Sequence, residues 1–229
     1  MNADHASGSE RDVLPCLACG DALARCEIPA TPSPLPRWLA AVACALLLAV
    51  AASVARAQAA NGLPRDSTYH LVLPLVDQDG RGFTYADGRG RPRIVSMFYT
   101  SCKVVCPLII DTLLKTEREL GPERKATLDV LLVSLDPDND TPEALKYVAD
   151  RRRLDLARWR LARADEAGVR RLAAVLGIQY KQIENRDFSH SSALVLLDAD
   201  GRIVARSDRL GAADPEFVAA VERVLAPER

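Results

Sequence analysis

A three-layer α/β sandwich behind an N-terminal membrane segment is the fold class this sequence predicts. Three observations carry that expectation. From about Ala60 onward, short apolar runs alternate with stretches of helical periodicity. Helix caps and turn residues punctuate the alternation. Upstream of it lies an uncharged run of 18 residues, Trp38 to Ala55.

The N-terminal part reads in two pieces. Met1 to Pro36 is polar and closes on Thr31-Pro-Ser-Pro-Leu-Pro36, the composition of a disordered or extended tail. Trp38 to Ala55 is rich in Ala, Leu and Val, framed by Arg37 and Arg56, and sits at the short end of what spans a bilayer. It also resembles a signal-peptide core, and Ala55-Arg56-Ala57 fits a small-x-small cleavage site. Residues 37–57 are therefore expected to be a transmembrane anchor, with cleavage near Ala57 as the alternative. Residues 58–229 are expected to be the folded domain. Arg25 and Arg37 balance Arg56 and Arg65, so the charge distribution sets no orientation.

Within the domain, Tyr69 to Val76 reads as a strand followed by the turn Asp77-Gln-Asp-Gly80, with Pro74 suited to an edge. Arg93 to Tyr99 predicts a second strand. Leu108 to Leu120 has helical periodicity, with Pro107 as a first helical residue and Gly121 as the stop. Thr127 to Leu135 is a third strand, and Asp136-Pro-Asp-Asn-Asp140 a turn. Thr141-Pro142-Glu143 has the chemistry of a helix start. Trp159 to Ala162 predicts a short strand, and Asp165 to Leu176 a helix ended by Gly177. Ser192 to Leu197 and Arg202 to Ala205 flank the hairpin turn Asp198-Ala-Asp-Gly201. Asp214-Pro215 opens a last helix to about Leu225. A cysteine pair between a central strand and its helix makes the sandwich thioredoxin-like.

The formal net charge is −1, which removes any bulk electrostatic case for nucleic acid. Of six cysteines, Cys16, Cys19 and Cys26 lie in the tail and Cys44 in the apolar run. Cys16-Leu-Ala-Cys19 resembles half of a zinc knuckle that Cys26 and His5 could complete; a tail with incidental thiols is the reading taken. Only Cys102 and Cys106 belong to the domain, and two cysteines four positions apart look like a site, not a disulfide scaffold.

Cys106 precedes Pro107, so it is expected at or near a helix N-cap. Unpaired N–H groups and the positive helix end favour a thiolate there, and Lys103 adds charge of the same sign. A pKa below the ordinary thiol value is the expectation. With three residues between them, Cys102 and Cys106 can close a disulfide or turn toward one metal ion. Soft thiolates select Cu(I), and imidazole suits copper as a third ligand. A closed zinc site would need a fourth donor that the domain does not offer convincingly. The domain has His70, at the start of an expected strand, and His190, in a polar loop before a buried one. The residues alone leave the third ligand open.

The motifs Phe98-Tyr-Thr-Ser-Cys102-Lys-Val-Val-Cys106-Pro107, Val133-Ser-Leu-Asp-Pro-Asp-Asn-Asp-Thr-Pro142 and His190-Ser-Ser-Ala-Leu-Val-Leu-Leu-Asp-Ala-Asp-Gly201 resemble the SCO/SenC family. The resemblance runs from about Tyr69 to Leu225. It implies an extracytoplasmic copper protein that serves assembly of the binuclear CuA centre of cytochrome c oxidase. It also implies that Cys102, Cys106 and His190 are the copper ligands, for Cu(I) and in a second state Cu(II). The implied partners are the oxidase copper-site subunit or another copper chaperone, and the implied place is a bacterial-type inner membrane with the domain facing the periplasm. Secretion to the periplasm after cleavage is the alternative. The sequence departs from the family in Lys103, where proline is frequent, and in Ser189, where aspartate is frequent. Asp136, Asp138 and Asp140 could pass for a calcium loop, but a turn with a helix cap is the expected reading.

Two further functions are open on the same residues. A dedicated thiol–disulfide oxidoreductase would use Cys102 and Cys106 as redox thiols to reduce the cysteines of the oxidase copper site. The sequence has no proline between Pro142 and Pro215 to face the motif as in general oxidoreductases. Peroxide reduction fits least, because Thr100 is two residues from Cys102 and the expected proline is missing.

Overall fold

The computed structural model describes residues 62–102, 105–183 and 188–226, all within a compact unit spanning Gln58–Arg229. Nine strands and four α-helices follow one another among the described residues. The strands are β1 (Pro74–Asp77), β2 (Gly82–Thr84), β3 (Arg93–Phe98), β4 (Asp129–Ser134), β5 (Trp159–Arg163), β6 (Tyr180–Gln182), β7 (Phe188–His190), β8 (Leu194–Leu197) and β9 (Ile203–Ser207). The helices are α1 (Val105–Lys125), α2 (Pro142–Arg151), α3 (Glu166–Leu176) and α4 (Pro215–Leu225).

Seven strands form one sheet in the order β2-β1-β5-β4-β3-β8-β9. Its centre, β3 with β4 and β4 with β5, is parallel; β1, β8 and β9 run antiparallel to their neighbours. The central strands are continuous apolar runs. β3 and β8 are buried at every position, and in β4 only Asp129 is not. Strands buried on both sides need cover on both faces. Arg152 of the α2 C-cap pairs with Asp111 of α1, and Arg124 of α1 with Glu222 of α4. These three helices therefore stand side by side over one face, and α3 supplies the third layer.

The caps fall where their chemistry requires. Thr141, Asp165 and Asp214 each accept a backbone N–H at the first turn of α2, α3 and α4. Gly177 ends α3 in the left-handed region, and the Ile178 N–H returns to the Ala173 carbonyl, closing the cap. Gly121 breaks α1 at φ 76°, and Pro122 starts the short continuation. The turn between β8 and β9 requires glycine twice over. Gly201 sits at φ +81°, and a Cβ there would stand 2.4 Å from the Tyr69 ring.

Two expectations need correction. Tyr69 to Val76 is not one strand: Thr68–His70 is a 3₁₀ turn capped by Ser67, and β1 begins only at Pro74. The Ser67 hydroxyl captures the Tyr69 N–H and bends the chain before the strand. β1 is also not an edge, since β2 and β5 flank it. Pro74 is tolerated as its first residue.

Candidate metal centre

The chain leaves β3 at Phe98, turns through Tyr99 and Thr100 to Cys102, and enters α1 at Val105. No disulfide joins Cys102 to Cys106. Cys102 is half-buried and Cys106 only 3% exposed. The Cys106 N–H donates to the Cys102 Sγ at 3.4 Å, and the Tyr99 N–H donates to the Cys106 Sγ at 3.3 Å. Each sulfur thus accepts a main-chain hydrogen bond at the start of the helix. Cys106 is the second residue of α1 and Pro107 the third, two residues further in than the sequence suggested.

The expected lowering of the Cys106 pKa is reversed. Burial pushes the thiol up well beyond its ordinary value, and the adjacent Cys102 pushes it further. The hydrogen bond from the Tyr99 amide acts the other way without winning. A helix start favours negative charge, but desolvation of the sulfur outweighs it. Such a thiol gives up its proton when a cation supplies compensating charge.

Asp140 braces the cysteine loop from behind. It is 1% exposed and accepts from the Thr100 N–H at 3.1 Å, the Thr100 hydroxyl at 2.5 Å and the Ser134 hydroxyl at 2.5 Å. Burial raises its pKa, and these three hydrogen bonds oppose the rise. The geometry has a topological cause. Phe98 and Ser134 are register partners in β3 and β4, so the loops leaving the two strands start side by side. The turn of Asp136 to Asp140 therefore has a use beyond capping α2. Asn139 closes it onto Asp136 at 2.8 Å. Among the described residues no group of three His, Cys, Asp or Glu gathers as a metal site, calcium included.

His190 arrives at the same end of the sheet by another route. It closes β7, which pairs with β6 in a separate two-stranded sheet with Tyr180 opposite His190. It is therefore a strand residue, not a loop residue as expected. The Ser191 N–H to Gln179 carbonyl bond, 2.8 Å, continues the pairing. The Tyr99 ring meets His190 edge-on at 6.0 Å between centroids and Phe188 at 5.2 Å. Tyr99 thus touches the Cys106 sulfur through its amide and the imidazole through its ring. The structure brings the two thiols together and sets His190 across Tyr99 from them, without closing the three donors into one cluster.

A family model described as SCO1/SenC matches residues 67–226. The chain belongs to the SCO1/SenC family. This SCO1/SenC chain is 28% identical over 149 residues to a Stutzerimonas stutzeri protein provisionally named as copper-binding, covering 62% of this chain and 69% of that one. It is 24% identical over 151 residues to the "SCO1 protein homolog" of Bacillus subtilis, covering 61% and 75%. Among solved structures, copper-bound ScoI of Bradyrhizobium japonicum matches with a TM-score of 0.57 at 23% identity, covering 67% of this chain and 98% of that one. The likeness establishes the thioredoxin-like fold.

Of the remaining sequence expectations, His70 lies exposed in the 3₁₀ turn with its Nε2 2.8 Å from the Pro64 carbonyl, remote from the cysteines in the chain and held by local structure. Ser189 is exposed and pairs with Lys181. Lys103, the tail cysteines Cys16, Cys19 and Cys26, His5, Cys44 and the apolar run Trp38 to Ala55 lie outside the described residues. Among the described residues no helix is long and apolar enough to cross a membrane. Sequence reading missed Tyr99 and Phe188 as the aromatic link between thiols and imidazole. An aromatic residue at the strand exit of the motif was the available signal.

Proposed function

We propose that this SCO1/SenC domain takes up one copper ion through the Cys102 Sγ, the Cys106 Sγ and a ring nitrogen of His190. It would pass the ion to the copper-site subunit of cytochrome c oxidase, at the CuA centre. The domain would face the periplasm, tethered by residues 37–57. The name of the Stutzerimonas relative and the copper-bound Bradyrhizobium structure support copper as the cargo. The observation that carries the reading is the pair of adjacent thiols at the start of α1, with Tyr99 joining them to His190. Two thiolates and an imidazole are a soft donor set suited to Cu(I), with Cu(II) as a second state.

Cys102 and Cys106 would each release a proton on binding, and His190 would complete the set by a shift of the β6–β7 hairpin. Three ligands leave room for an acceptor's own donors, and half-buried Cys102 is the sulfur that an acceptor reaches first.

The oxidoreductase reading keeps one observation in its favour. A half-buried sulfur beside a buried one is the arrangement of an attacking and a resolving thiol. One experiment separates the two. Protein carrying C16S, C19S, C26S and C44S is reduced and titrated with Cu(I) against a competing chelator. One copper per chain is expected, and His190→Ala should weaken it by more than the roughly 10–100-fold that loss of an outer-shell partner costs. Undiminished affinity in that variant, with thiol reductase activity retained, favours the oxidoreductase.

A further inference from the structure

A cleft of about 250 Å³ opens beside Cys102, between the first turns of α1 and the last turn of α2. Pro107 and Ile110 line it from α1, and Val148 from α2. Its size suits one large side chain, below the range for drug-sized ligands. Tyr147, 62% exposed, stands at its rim. Beside it runs Arg151-Arg152-Arg153. Arg152 is paired with Asp111. Arg151 donates to the Tyr147 hydroxyl at 3.1 Å, and among the described residues no carboxylate pairs with Arg151 or Arg153. Exposed tyrosine and arginine around a small apolar hollow are the residue types that anchor protein interfaces.

We infer that this cleft receives an acidic, cysteine-bearing segment of a partner protein, which inserts one bulky apolar side chain between α1 and α2. That the partner carries a thiol follows from the proposed hand-over of metal. Its acidity and its apolar anchor follow from the cleft. Unneutralised Arg151 at the rim, with Arg153 following it in the chain, would draw a negative segment in and repel a positive one, and Cys102 lines the same hollow.

Mixed-disulfide formation tests this without copper. The full chain carrying C16S, C19S, C26S and C44S is reduced and mixed with short peptides whose single cysteine is capped by thionitrobenzoate. In one peptide the cysteine is flanked by Leu and Glu, in the other by Ser and Lys. The Cys102 thiolate attacks the peptide sulfur, and a protein–peptide S–S bond forms. The bond to thionitrobenzoate breaks, the coloured thiolate leaves, and the Cys102 proton passes to buffer. The Cys102→Ser chain gives the background rate. The acidic, apolar peptide is expected to react about tenfold faster than the other at low salt, with the advantage shrinking at high salt. Arg151→Glu should abolish or invert the preference, and Tyr147→Ser should reduce it, both with unchanged copper stoichiometry. Equal rates in the parent, or an undiminished ratio in Arg151→Glu, would overturn the inference. Failure of the parent to bind copper would instead remove the metal hand-over, while the peptide ratio still decides the cleft.

Discussion

Asp140 takes three hydrogen bonds while almost wholly buried, and so couples the cysteine loop to the end of β4. Burial holds its carboxyl above the ordinary value of 3.8. Between that value and its own pKa, the folded chain keeps a proton that the unfolded chain gives up. Its contribution to stability is therefore present at low pH and falls as pH rises through that window. Asp140→Asn removes this step and adds a constant offset for the acceptor lost. Urea midpoints measured from about pH 4 to about pH 7 should show the variant gaining on the parent as pH rises. A pH-independent difference would contradict the assignment. The thiols make a second prediction. Cys102 should alkylate with iodoacetamide at neutral pH well before Cys106, whose proton burial retains; peptide mapping of a time course reads this directly. From sequence, Cys102 and Cys106 were legible as a candidate pair because their spacing before a proline is chemical information. The direction of the Cys106 pKa was not legible, because helix position can be read from sequence and desolvation cannot.

At the scale of elements, the β6–β7 hairpin decides whether His190 reaches the sulfurs. Phe188 fastens it to the core through its ring contact with Tyr99 at 5.2 Å, and meets Tyr180 of the same hairpin at 6.3 Å between centroids. Phe188→Ala removes no donor, yet it should lower copper affinity about tenfold through loss of positioning, while the stoichiometry in a chelator titration stays at the parent value. Unchanged affinity would mean that the hairpin is held by other contacts. This hairpin escaped sequence reading for a physical reason. Tyr180, Lys181 and Gln182 form a strand with no buried position, so no apolar alternation marks it. The helices were legible at both ends, because Thr141, Asp165, Gly177 and Asp214 satisfy backbone groups with their own local chemistry. The Thr68–His70 turn was lost for the opposite reason: its apolar residues follow a strand pattern, and a single serine hydroxyl bends the chain.

At the scale of the molecule, sheet order brings three distant stretches to one end of the sheet. β3 and β4 are parallel, so the loops bearing Cys102 and Asp140 emerge at the same end. β8 is antiparallel to β3, so the chain entering it passes over that same end and carries His190 with it. Ligand sites of open α/β sheets characteristically lie outside the carboxyl ends of the strands. Spacing along the chain could not supply a convergence of His190 on the thiols; only the resemblance to SCO/SenC proteins implied one. The most direct test of that convergence is X-ray absorption at the copper edge of the loaded protein, with Cys16, Cys19, Cys26 and Cys44 changed to serine. The account predicts two sulfur scatterers and one imidazole on a single copper, with the imidazole signal lost in His190→Ala. A copper held by sulfur alone, with a spectrum the His190→Ala substitution leaves untouched, would contradict it.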